Sequence, residues 1–140
     1  MEDISLACHR NFMHLSWKIM HRSRKNLAEL GLAWNQYSVL RSLEQGEGMT
    51  PSQISSKCLK ENSNVTALVD FLQEKGWVAR VHDAHDRRSI RVVLTDEGVI
   101  MREQIIQNHH QFIKELYEGI DIKDMEVFLK MLKKFEKQIM

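Results

Sequence analysis

One proline and two cysteines in 140 residues leave this chain without several devices that small folds lean on. Cys8 and Cys58 stand far apart and outside any CxxC pattern. That excludes a disulfide framework and a zinc-ribbon spacing. Free thiols suit a reducing compartment, so a cytoplasmic location is expected. No apolar run approaches the roughly 20 residues of a membrane span. The N-terminus also has no basic region leading into an apolar one, so neither a leader nor a membrane partner is expected. Charge of one sign is scarce as well. The formal net charge is +1, and residues 33 to 95 carry eight Lys/Arg against seven Asp/Glu. A nucleic-acid partner would therefore have to be attracted by local arrangement rather than by overall charge. There is no nucleophile elbow, phosphate-binding Gly loop, HExxH or paired-carboxylate motif, so neither an enzyme nor a cofactor is expected.

What is present is helical patterning in a chain that is 43% apolar, enough for one domain with a real core. Residues 3 to 29 carry Ile4, Phe12, Leu15, Ile19 and Leu27 on one broad stripe, continued by Leu30 and ended by Gly31. Trp34, Tyr37, Leu40 and Leu43 recur at helical spacing up to Gly46, the expected left-handed stop. Thr50-Pro51-Ser52-Gln53 starts a short helix, with Thr50 as N-cap, Pro51 at the first position and Gln53 closing a capping box. It runs to about Cys58, which shares an inner face with Ile54. Asn62-Ser63-Asn64 then supplies cap-competent side chains. Val65, Leu68, Val69 and Leu72 follow at i, i+3, i+4 and i+7, one buried helix face.

Gly76 leads into Trp77-Val78-Ala79-Arg80-Val81-His82, read as a strand, and Ile90, Val92 and Leu94 alternate in its partner. The hairpin tip between them contains Asp83, His85, Asp86, Arg87 and Arg88. Arginine suits approach to a polyanion, because its guanidinium fork pairs with phosphate and fits narrow minor grooves. Thr95 caps the next helix, with Asp96 and Glu97 in its first turn where the macrodipole favours acids. After Gly119-Ile120-Asp121, a last amphipathic helix carries Met125, Phe128, Leu129, Leu132, Phe135 and Ile139. The expected fold is mainly α with a small β-hairpin wing: a winged helix-turn-helix at 33–95, with helices 1–32 and 96–140 packing together and against a second copy.

The order of motifs resembles the MarR family of bacterial transcription regulators over essentially the full length. The resemblance rests on Leu32 to Leu40, on Asn64-Val65-Thr66-x-Leu68-Val69-Asp70-x-Leu72-x-x-x-Gly76-x-Val78, and on Asp86-Arg87-Arg88 followed by Val92-x-Leu94-Thr95-x-x-Gly98. It implies a homodimer with interleaved terminal helices that reads a palindromic operator in double-stranded DNA, usually as a repressor. It also implies that a small molecule, metal or oxidant modulates binding. One departure stands out: many members carry Arg where this chain has Ala67.

Within that reading, Ser63, Asn64 and Thr66 at the recognition-helix start face base edges, one of the cap-competent residues serving as the cap. Ser52 and Gln53 look like phosphate contacts that set register, a role that competes with capping for Gln53. By resemblance, Arg88 reaches the minor groove, with Asp86 holding its guanidinium, while Arg87 and Arg91 meet phosphates. Asp70 is read as structural, Trp77 and Phe71 as packing. The family's effector position would be lined by Trp17, His21, Trp34 and Tyr37. Some members sense peroxides through an N-terminal cysteine, which makes Cys8 the redox candidate; neither Tyr37 nor Tyr117 lies near it, while His9 and Arg10 could lower its pKa. His9, His14, His21, His109 and His110 lack a completing Cys or carboxylate and are read as polar residues on solvated faces, so no metal is expected. The competing function, favoured by the near-neutral charge, is a winged-helix module that binds a protein without contacting DNA.

Overall fold

A computed structural model describes residues 1–58 and 64–140. Six helices and one hairpin follow in the order α1 (Ile4–Glu29), α2 (Trp34–Ser42), α3 (Pro51–Cys58), α4 (Val65–Glu74), β1 (Val78–His82), β2 (Ile90–Leu94), α5 (Asp96–Leu116) and α6 (Ile122–Ile139). This is the expected class, mainly helical with a wing. Capping residues mark the starts as the sequence anticipates. Asp3 accepts from the Ser5 amide, Asn64 from Ala67 and Thr95 from Gly98. At α3 the Thr50 amide donates to Gln53 Oε1 at 3.0 Å, and the Gln53 amide returns a bond to Thr50 Oγ1 at 3.2 Å. That is a closed capping box.

α2 stops at Ser42, four residues before the expected Gly46, because a tertiary contact claims the chain beyond it. Leu43 turns extended (φ −76°, ψ 127°), and residues 47–49 lie against β2. There Met49 pairs antiparallel with Val92, the two amide–carbonyl bonds measuring 3.0 and 2.7 Å. The hairpin therefore gains a third strand-like segment on the free edge of β2. Gly48 makes the approach possible: its φ is +72°, and a Cβ there would overlap the Val92 carbonyl oxygen.

β1 and β2 pair in the register Val78↔Leu94 through His82↔Ile90. Val78, Arg80 and His82 thus share a face with Leu94, Val92 and Ile90. Val78 and Val92 are buried, whereas Ile90 near the tip is exposed. The core collects Tyr37, Val39, Leu40, Leu43, Ile54, Val69, Leu72, Trp77, Val78 and Val92 from the winged segment, joined by Leu27 of α1, Leu32 just after it and Ile105 of α5. Trp77 is a packing residue, as expected.

The terminal helices, expected to pack together and against a second copy, meet within one chain where α1 packs on α5. The buried residues of α1, Ser23 and Leu27, lie in its C-terminal half. α6 buries no residue at all. Ile4, Leu15, Trp17, Phe128, Leu129, Phe135 and Ile139 are consequently exposed. No helix among the described residues is long and apolar enough to cross a membrane.

Candidate nucleic-acid interface

The recognition helix α4 turns Val69 and Leu72 into the core and leaves Asn64, Thr66 and Ala67 exposed at its start. Asn64 is the cap, its Oδ1 accepting from the Ala67 amide at 3.2 Å. Ser63, also expected at this start, lies outside the described residues. Ser52 and Gln53 are exposed on the first turn of α3. The Gln53 carbonyl oxygen is engaged by the capping box, so any outside contact falls to its amide nitrogen.

The wing tip is ordered by its own backbone. The Asp83 amide donates to Ser89 O (2.9 Å) and the Ser89 amide to Asp86 O (3.0 Å). Asp86, expected to grip the Arg88 guanidinium, instead accepts the Arg88 backbone N–H at 3.0 Å. Asp-type side chains readily bond the amide two residues on, and that local bond wins over reaching a long flexible guanidinium. Arg87 and Arg88 are exposed, and neither guanidinium has a partner among the described residues. Asp86 therefore shapes the turn that presents Arg88 rather than holding its charge.

The other two arginines of this region turn inward. Arg80 sits on the inner face of β1, opposite Val92, and reaches α4: it pairs with Asp70 at 2.7 Å and donates to Gln73 Oε1 (2.6 Å) and Thr66 O (3.3 Å). Asp70 is thereby neutralised on the helix that would face phosphates. Arg91, expected to meet phosphate, instead donates to Glu47 O (2.9 Å), Gly48 O (3.0 Å) and Asp83 Oδ2 (3.4 Å). Strand alternation carried the signal for Arg80, since it shares parity with Val78. Nothing local signalled the two carbonyl partners of Arg91, which lie more than forty residues away.

The four residues expected to line one effector pocket divide into two pairs. Trp17 stacks on His21 at 5.3 Å on an exposed part of α1, while the buried Tyr37 meets Trp34 (6.1 Å) and His109 (5.0 Å). A groove of about 1230 Å³ does run between α1, α2 and the end of α3, bordered by Arg24, Trp34, Arg41, Lys57 and Cys58. Only Trp34 of the expected four borders it. Trp17 is exposed beside His21, and Tyr37 turns its ring into the core. Cys58 donates its thiol to Ser42 Oγ at 2.9 Å, and Cys8 is exposed.

Two junction residues escaped the sequence reading. Arg102 of α5 donates through Nε to Leu40 O (3.2 Å) at the C-terminal end of α2, where carbonyls lack helical partners. His109, taken above as solvated, is buried among Trp34, Tyr37 and Phe112, with Nδ1 2.8 Å from Asn26 Oδ1. Burial holds its pKa below the usual histidine value, and the nearby His110 and Arg41 push it the same way. Below the ordinary histidine pKa, about 6.5, the unfolded chain binds a proton that the native imidazole refuses. Native stability is thus expected to fall as pH drops through that value, and His109→Gln should flatten the fall in denaturant titrations between about pH 7 and 5. An unchanged pH profile in the variant would refute this role. Among the described residues no group of three or more His, Cys, Asp or Glu could hold a metal.

Comparison with known proteins agrees with this geometry. The sequence model of the MarR family matches residues 32–90. The chain is 29% identical over 113 residues to the HTH-type transcriptional regulator PapX of Escherichia coli, covering 79% of this chain and 69% of that one. It is 27% identical over 130 residues to the HTH-type transcriptional repressor YetL of Bacillus subtilis, covering 91% and 78%. In structure it is similar to CouR of Rhodococcus jostii bound to p-coumaroyl-CoA, with a TM-score of 0.74, 25% identity, and coverage of 96% and 95%. With these matches, this chain belongs to the MarR family of DNA-binding transcription regulators.

Proposed function

We propose that the protein is a homodimeric repressor that occupies a palindromic operator and is released by a small-molecule effector. The exposed, unpartnered guanidinium pair of Arg87 and Arg88, together with the exposed Asn64 and Thr66 at the start of α4, carries this reading. Asn64 and Thr66, with Ser63, read base edges in the major groove. Ser52 and the amide nitrogen of Gln53 bind phosphates, Arg88 enters the minor groove and Arg87 meets the flanking backbone. The winged segment 33–95 reads DNA, and helices 1–32 and 96–140 pair two copies. Recognition helices would then fall about 34 Å apart on one DNA face. The p-coumaroyl-CoA bound to CouR supports a small-molecule effector, which here would occupy the groove beside Trp34. The role is regulatory rather than enzymatic, and a protein that reads a bacterial promoter works in the cytoplasm.

Selection of duplexes from a randomised pool tests this reading. The chain should enrich an inverted repeat, with affinity falling steeply as salt rises. Arg88→Ala should weaken binding to that duplex about tenfold or more while the dimer persists. Unchanged affinity at moderate salt would remove Arg88 from the interface. Failure to enrich any sequence would favour the protein-binding module that the net charge of +1 suggests.

A further inference from the structure

We propose that Arg91 is a positioning residue for DNA recognition, which with Asp83 locks the wing to the turn that starts the helix-turn-helix, and that it does not itself bind phosphate. The inference rests on the placement of Arg88 at the DNA given above. A two-stranded hairpin is only marginally stable by itself. This one projects a seven-residue tip, residues 83–89, and its arginines are useful only if the tip stands at a fixed distance from α3 and α4. Two separate anchors supply that stiffness. Arg80 ties β1 to the recognition helix through Asp70, Gln73 and the Thr66 carbonyl. Arg91 ties β2 to the opposite side, where it grips the carbonyls of Glu47 and Gly48.

The site is built for a guanidinium. Its planar fork presents donors in several fixed directions, so one side chain meets two successive carbonyls and a carboxylate together. The Arg91 and Asp83 side chains are 22% and 18% exposed, sheltered where the Met49–Val92 pairing brings the turn against β2. Asp83 in turn holds the root of the tip. Its Oδ1 accepts the His85 amide at 2.9 Å and its own amide donates to Ser89 O. The His85 amide is the main reason its carboxyl stays below the usual range, with the Arg91 guanidinium adding to this against the opposing effect of burial. The gripped turn runs directly into the Thr50–Gln53 capping box. The wing and the phosphate-facing start of α3 therefore share one anchor.

This assignment separates from a direct phosphate contact in three measurements on the full-length dimer. The probe is a duplex that the wild-type chain itself selects from the randomised pool, used well below the unfolding temperature of each variant. Arg91→Ala is expected to weaken binding about tenfold, and Arg91→Lys nearly as much, because an ammonium keeps the charge but cannot span the three acceptors. Asp83→Asn is expected to weaken binding as well, although removing a negative charge near DNA would by itself strengthen it. In the Arg91→Ala background, Arg88→Ala should cost less than about threefold, against about tenfold or more in wild type, because the two residues act as one unit. Restoration by Lys to within about threefold of wild type, tighter binding by Asp83→Asn, or full multiplication of the Arg88 and Arg91 losses would each overturn the proposal. If Arg91→Ala does not fold, the sign of the Asp83→Asn effect decides alone. A wild-type chain that selects no duplex refutes the function proposed above, whereas additive losses on a bound duplex refute only the role of Arg91.

Discussion

Phe128→Glu combined with Phe135→Glu is expected to leave the protein monomeric and to weaken operator binding about a hundredfold or more. Both residues lie on the apolar stripe of α6 that also carries Met125, Leu132 and Ile139. In the single chain that helix buries nothing, and Phe128 and Phe135 remain 39% and 53% exposed. An amphipathic helix with no fully buried residue cannot be held by propensity alone, because most helical stability comes from burying such a face. Ile4, Leu15 and Trp17 on α1 are exposed as well, and exposed apolar helix faces of this kind mark an interface. Two carboxylates placed in its middle would have to be desolvated on pairing, which outweighs the apolar gain. Losing the dimer then removes the second half-site, which multiplies operator affinity by roughly 10² to 10⁴ when both are engaged together. Sedimentation equilibrium checks the first part, and titration of a full palindrome against a single half-site checks the second. A double variant that remains dimeric would exclude α6 from the interface.

Gly98→Ala should lower stability by about 3 kcal/mol, which for a chain of this size lowers the unfolding temperature by roughly 10 °C. Gly98 has ordinary helical geometry, so the cost is steric. A Cβ there would overlap the carbonyl of Trp77, and backbone atoms cannot rotate away as a side chain can. The same carbonyl accepts the Thr95 amide at 3.0 Å, while the Thr95 hydroxyl donates to Gly76 O at 2.6 Å and caps the Gly98 amide. Moving α5 away would thus disturb its own cap and the entrance to β1 together. Gly119→Ala gives the contrast. Its φ is +89° but a Cβ there meets nothing, so only backbone strain of about 1–2 kcal/mol is expected. Calorimetry of the two variants separates steric from conformational cost, and equal losses would refute the packing role of Gly98.

The interplay of local and distant forces shows in which residues could be read in advance. Thr50 with Gln53, and Thr95, act within three residues of themselves, so their capping roles are plain in the sequence, whereas the choice of Asn64 among the cap-competent residues 62–64 came from the structure. The apolar spacing of Val65, Leu68, Val69 and Leu72 fixed the inner face of α4, and strand alternation fixed the faces of β1 and β2. These determine a winged helix-turn-helix with apolar flanking helices, and with it the exposed start of α4 and the arginine-bearing tip. Tertiary structure decided which charges remain available. Arg80, Arg87, Arg88 and Arg91 are alike in sequence, but the carbonyls of residues 47 and 48 and the carboxylate of Asp70 claim two of them. The short turn at Asp86 leaves the other two in solvent. His109 was misplaced for the same reason, since its shelter comes from α1 and α2. Periodicity and capping are local and survive in the sequence, whereas a long polar side chain is assigned by whichever acceptors folding brings within its reach.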